Sequence, residues 1–184
     1  MAASLSGYKV AILAVDGFEQ AELEGPRDAL EKAGVKVDVV SQNAGQIQGF
    51  VHTEPGDKVT VDVTLNDADP SDYHALVLPG GVVNGDAIRT DKQAQQLVQD
   101  FNASNKPIAV ICHGGWLPIS AGIVSGRTLT SWPSLQDDIR NAGGTWVDVQ
   151  VHRDDNLITS RKPDDIPAFN KVIMEALGEQ TKAT

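Results

Sequence analysis

A single cysteine among 184 residues rules out any disulfide within the chain. Stability must come from a packed core, and a lone thiol fits a reducing compartment. Basic residues are also few. Fifteen Lys and Arg stand against 25 Asp and Glu, for a formal net charge of −10 and a pI near 4.7. That field repels a phosphate backbone, so nucleic acid is not expected as a stable partner. No apolar run approaches the length of a membrane span. The first one, in "MAASLSGYKVAILAVDG", has no basic segment ahead of it and is broken by Asp16. Neither a signal peptide nor a span is expected, and the cytoplasm is the expected location. Repeats, low-complexity segments and Pro/Gly/Ser-rich linkers are missing, so residues 1–184 read as one domain with its core at about 8–178. Phosphate-binding signatures are missing too: neither G-x-G-x-x-G nor the P-loop spacing occurs. His52, His74, His113 and His152 are scattered without metal-ligand spacing, so neither a metal nor a cofactor is expected.

What is present is ordinary for a globular protein: 41% hydrophobic and 22% charged residues. Short apolar runs alternate with helical patterns, as in a doubly wound parallel sheet. "KVAILAV" (9–15), "VKVDVV" (35–40), "ALVLP" (75–79) and "PIAVI" (107–111) predict strands covered on both faces. Helices are predicted over 21–34, 90–104, 134–144 and 164–178, and another opens at "GGWLPISAG". Between 41 and 72 the pattern is irregular, and it predicts an antiparallel appendage around an E-P-G-D turn. "TWVDVQV" and "NLITS" are expected to pair across "HRDD". The fold class is α/β, a flavodoxin-like three-layer α/β/α sandwich with a mainly parallel sheet.

The segment "IAVICHGGW" (108–116) places Cys112 where a strand ends and a helix begins. In open α/β sheets functional groups collect beyond the carboxyl ends of the strands. A sharp strand-to-helix turn there exposes its central side chain, and the helix N-terminus favours a thiolate and a developing oxyanion. A buried cysteine acting as a small hydrophobe fits the position as well. His113 either manages protons or simply packs. "VDGFEQAELEG" brings Glu19 and Glu22 to the same edge. Glu19, in the loop, is the preferred partner for the sulfur, whereas Glu22 reads as a complement to the helix dipole. The glycines of "PGGVVNGDAIRT" (79–90) bring backbone N–H groups near a substrate oxygen, and Asp86 and Arg89 either act chemically or join a partner surface.

"GFEQAELEGPRDALEKAGVKVDVVS", "ALVLPGGVVNGDAIRTD" and "KPIAVICHGGWLPISAGIVSGRTLTSWPSLQDDIRNAGGTWVDVQV" together resemble the PfpI family. That family is the intracellular-protease-like branch of a superfamily that also holds the parkinsonism-associated deglycase. The likeness runs from about Lys9 to about Leu177. It implies a nucleophilic Cys112 on the elbow, Glu19 bonded to its sulfur and His113 as the adjacent histidine. It further implies Gly81 and His113 N–H groups as oxyanion donors, and Asp86 reaching the site of a neighbouring subunit in a homodimer or larger ring. Gly115 and Gly85 stand where the family often has proline, which implies a looser backbone at both places.

The implied activity is cysteine-dependent hydrolysis, either of peptides or of early glyoxal and methylglyoxal adducts on proteins or nucleotides, with the free small aldehydes themselves as a further substrate. The alternative is a stress sensor or holdase whose thiol stops at sulfinic acid, since no second cysteine is available to resolve a sulfenate. A glutamine amidotransferase is disfavoured: Val110 stands where that elbow has glycine, and "HRD" at His152 only approximates the distal H-x-E pair.

Overall fold

The computed structural model describes residues 5–180, so the two ends of the expected 1–184 domain lie outside the described residues. In chain order the first half holds β1 (Lys9–Leu13), β2 (Phe18–Glu19), α1 (Gln20–Lys32), β3 (Lys36–Ser41), β4 (Gln46–Val51), β5 (Glu54–Thr60), β6 (Val63–Thr64) and β7 (Ala75–Leu78). Then come α2 (Val82–Ile88), α3 (Lys92–Ala103), β8 (Ile108–Ile111), α4 (Trp116–Ser120), β9 (Thr128–Leu129) and α5 (Gln136–Asn141). The chain closes with β10 (Thr145–Trp146), β11 (Val151–Asp154), β12 (Leu157–Ser160) and α6 (Ile166–Gln180).

Seven strands form the central sheet in the order β11-β12-β8-β7-β1-β3-β6, parallel throughout except for edge strand β11. Alternate side chains leave each strand on opposite faces. Ala11, Leu13, Leu76, Leu78, Ile108 and Val110 pack with Leu97, Val98 and Phe101 of α3 and with Leu117 of α4. Val10, Ile12, Val77, Ala109 and Ile111 pack with Leu23 and Leu30 of α1 and with Phe169 and Ile173 of α6. Two cores on one sheet make the three-layer sandwich that the strand pattern predicts.

Local signals place the helices. Asp91 caps α3, its carboxylate accepting from the Gln93 and Ala94 amides at 2.8 and 3.1 Å. Gly34, at φ +91°, ends α1 by turning the chain into β3.

Two turns fall elsewhere than expected. The irregular stretch is indeed an antiparallel hairpin, β4 with β5, but E-P-G-D lies inside β5 and the chain reverses at His52–Thr53, with His52 at φ +58°. Side chains hold the Pro-Gly backbone extended: Gln20 Oε1 accepts from the Asp57 amide, and Gln48 Nε2 donates to the Gly56 carbonyl. Likewise "HRD" belongs to β11, and the turn to β12 is at Asp155–Asn156, with Asp155 at φ +54°. Thr145–Trp146 is not part of that hairpin; it pairs in parallel with β9.

Candidate active site

Strand β8 ends at Ile111 between β7 and β12, and Cys112 follows with φ +60°. A non-glycine residue in the left-handed region costs about 1–3 kcal/mol and persists only where its surroundings impose it. Here they do. The next residues turn tightly against the end of β7, where a Cβ on Gly114 would lie 2.6 Å from the Leu78 carbonyl oxygen. The strained turn projects the sulfur toward α1 and toward the loop after β7.

Two loops close around it. Gly81, at φ +93°, has no room for a side chain: a Cβ there would lie 2.7 Å from the Glu19 amide nitrogen. Its N–H and that of His113 both point at the Cys112 sulfur. Asn84 ties the strand ends together. Its Oδ1 accepts from the Val15 amide at 2.8 Å, and its Nδ2 donates to the Pro79 and Gly80 carbonyls, each at 3.1 Å.

The carboxyl beside the sulfur belongs to Glu22, not Glu19. Glu22 is fully buried; its Oε2 accepts from the Gly80 amide at 2.8 Å, and its side chain bonds that of Cys112. Oε1 has no nitrogen or oxygen partner. Glu19 instead lies at the crevice wall with both oxygens on the His52 amide, at 3.1 and 3.4 Å. The reason is helical geometry. Buried Glu22, Leu23, Pro26 and Leu30 form one inward stripe of α1, and Glu19 sits before the helix begins. That spacing was the signal in the sequence that could have found Glu22.

Burial lifts the Glu22 pKa from its ordinary 4.5 to about 8, with the charge of Glu19 adding to it, while the hydrogen bonds with Cys112 and Gly80 offset only part. Cys112, 7% exposed, is raised as well, first by burial and then by the charge of Glu22, against the pull of the His113 and Gly81 amides. An independently acidic thiol, as expected from a helix N-terminus, is therefore not what the site contains; α4 is only five residues long and its dipole is too weak to outweigh burial. At neutral pH both groups hold their protons. With Glu22 neutral its repulsion at the sulfur is absent, and the charge that the sulfur gains when it loses its proton rests on two amides.

His113 Nδ1 lies 3.3 Å from Sγ. The ring is flanked by Trp116 and Trp132, at centroid distances of 5.2 and 5.8 Å, and burial lowers its pKa, favouring the neutral imidazole. No carboxylate bonds it among the described residues. Asp86 is exposed on α2, its side chain makes no hydrogen bond or ion pair among the described residues, and it does not line the crevice at the sulfur. Arg89 also stays away, donating to Ser120 Oγ at 3.0 Å. His152 lies in β11, and Asp154 accepts from the Thr128 amide at 2.7 Å. Gly85 does not loosen the backbone. It is buried in α2, where a Cβ would lie 2.6 Å from the His113 carbonyl oxygen. Gly115 has φ −60°, an ordinary helical value. No group of three His, Cys, Asp or Glu is arranged to hold a metal ion among the described residues.

A family model described as the DJ-1/PfpI family matches residues 8–176. The chain belongs to the DJ-1/PfpI family. Among its curated relatives in that family, the protein/nucleic acid deglycase 2 of Escherichia coli is 40% identical over 172 residues, covering 92% of this chain and 98% of that one. A protein of Thermococcus kodakarensis named as a deglycase is 38% identical over 169 residues, covering 92% and 99%. Among solved structures, a two-domain protein of Anabaena variabilis with DJ-1/ThiJ/PfpI-like and ferritin-like domains matches with TM-score 0.88 at 31% identity, covering 93% of this chain. This DJ-1/PfpI chain spans about half of that protein, 48% of its length.

Proposed function

We propose that the chain is a cytoplasmic cysteine-dependent hydrolase that acts on electrophilic carbon, with early glyoxal and methylglyoxal adducts as its first class of substrate. One observation carries this reading: a buried carboxyl with a pKa of about 8 lies against the only cysteine, on a strained elbow. A general acid works best when its pKa is near the working pH. In the proposed reaction the Cys112 thiol gives its proton to neutral His113, 3.3 Å away, as the sulfur bonds to the carbon that carries the amine. On an adduct that carbon bears a hydroxyl, so the carbon–nitrogen bond breaks as the carbon–sulfur bond forms. Glu22 gives its proton to the departing amine, and the Gly81 and His113 amides bond the hydroxyl oxygen. Water then cleaves the carbon–sulfur bond: its hydroxyl goes to the carbon, its proton to the Glu22 carboxylate, and the sulfur takes back the proton held by His113. Relatives bearing the deglycase name agree with this substrate class. Peptide hydrolysis asks more of His113, which has no orienting carboxylate among the described residues of its own chain. Asp86 of a second copy would supply one, which is consistent with a homodimer or larger assembly.

The test compares wild type with Cys112→Ala and Glu22→Gln on the methylglyoxal adduct of N-acetylarginine and on fluorogenic peptides. Cys112→Ala is expected to abolish turnover, and Glu22→Gln to lower kcat by about 10²-fold or more. Equal turnover in wild type and Cys112→Ala would end this reading.

A second reading, oxidation sensing, rests on Glu22 Oε1, which has no nitrogen or oxygen partner among the described residues. A protonated carboxyl there can donate to a sulfinate and hold oxidation at that stage. Mild peroxide should then add two oxygens to Cys112 by mass, and a thiol that stays reduced removes the idea.

A further inference from the structure

The crevice over Cys112 encloses about 480 Å³, room for a molecule far larger than a two- or three-carbon aldehyde. Phe50 and Thr53 of the hairpin form one side, Val82 and Val83 a second, and Trp132 with Pro163 a third. These walls are largely apolar, and Val82, Val83 and Trp132 stay 54%, 61% and 38% exposed at its edge. Large side chains that keep this much surface in water around a nucleophile are ready to cover an apolar group.

The charge at the crevice wall is negative and belongs to Glu19. Glu22, which keeps its proton at neutral pH, lines it too, together with His52 and His113; no Lys or Arg does so among the described residues. Cations of the neighbouring loop are already matched. Arg161 bonds Asp165 and Asp148, both at 2.8 Å, and Lys162 lies 3.6 Å from Asp164. The charge of Glu19 reaches inward far enough to act on Glu22. Against this stand only the Gly81 and His113 amides, which would attract an anion if it reached the sulfur.

Building on the proposed hydrolase reading, we infer that the crevice selects carbonyl substrates with an uncharged, apolar substituent and turns away those bearing carboxylate or phosphate. An adduct on an apolar peptide or a neutral amide would enter; the same adduct on a nucleotide would not.

Cys112 is the only cysteine, so its alkylation reports entry by mass alone. Iodoacetanilide, iodoacetamide and iodoacetate share one reacting carbon. With each, sulfur displaces iodide, one carbon–sulfur bond forms, and the thiol proton is released. Rates are measured on the full chain at pH 8, where histidine is ordinarily neutral, and divided by those of N-acetylcysteine. Normalised rates should fall from the anilide to the amide to the acetate, with the acetate at least about tenfold below the amide. Glu19→Gln should raise the acetate rate relative to the amide, and Phe50→Ala should lower the anilide rate relative to the amide. Equal normalised rates, or iodoacetate reacting fastest because the amides dominate, would overturn the selectivity while leaving Cys112-dependent turnover intact. Inertness to all three reagents would overturn the crevice as a binding site, and the hydrolase reading with it.

Discussion

Among the described residues no cation pairs with Glu22, so burial, with the charge of Glu19 adding to it, outweighs the hydrogen bonds of Cys112 and Gly80 and decides its protonation state. Its folded pKa of about 8 exceeds its ordinary value, so between those limits the native chain holds a proton that the unfolded chain releases. Stability therefore falls as pH rises from about 4.5 to about 8 and changes little further from this group, a total on the order of 5 kcal/mol. Glu22→Gln should flatten the dependence of Tm on pH across that window, measured by thermal melts from pH 5 to 8. An unchanged slope would mean that the carboxyl is not buried as described. At Gly81 the constraint is steric. Gly81→Ala would force a Cβ against the Gly17 carbonyl and the Glu19 amide at a positive φ, so a loss of about 2 kcal/mol or more is expected by urea denaturation, with loss of turnover.

Among the elements, three loops have to meet: those after β1, after β7 and after β8. Asn84 ties the first two from within α2, through one acceptor and two donor contacts. Asn84→Ala would leave the buried Val15 amide unsatisfied, at a cost of about 1–3 kcal/mol. Because Gly80 and Gly81 lie in the loop that it ties, turnover should fall further than stability alone accounts for when assayed well below the melting temperature. Asp91→Ala is the control. It removes the α3 cap, which does not line the crevice, and should cost about 1 kcal/mol with kcat unchanged.

At the level of the whole molecule, the exposed Asp86 and the lone imidazole of His113 have their simplest resolution in a second copy. Mixing Asp86→Asn chains with Cys112→Ala chains tests this directly. A mixed dimer has one site with an intact Cys112 and an intact Asp86 from its neighbour, so peptide hydrolysis should reappear where neither variant alone shows it. Absence of rescue in a demonstrated mixed dimer would confine Asp86 to its own chain. The formal charge of −10 acts at the same scale, slowing the approach of any anionic substrate in a salt-dependent way.

Strand positions, the parallel sheet and the elbow at Cys112 were legible in the sequence, because apolar runs of strand length and glycine stops are local signals. Turn positions were less so. Pro55 and Gly56 look like a turn in isolation, yet side chains from Gln20 and Gln48 hold them in β5. The carboxyl at the sulfur was misassigned to Glu19 for a related reason: proximity along the chain favoured the loop residue, whereas the start of α1 turned Glu22 inward. Sequence alone determined that one thiol would stand at the rim of a parallel sheet with glycines on either side. Only tertiary structure decided which acid meets it and which groups hold a proton, because burial and hydrogen bonding at that sulfur are set by three loops brought together from distant parts of the chain.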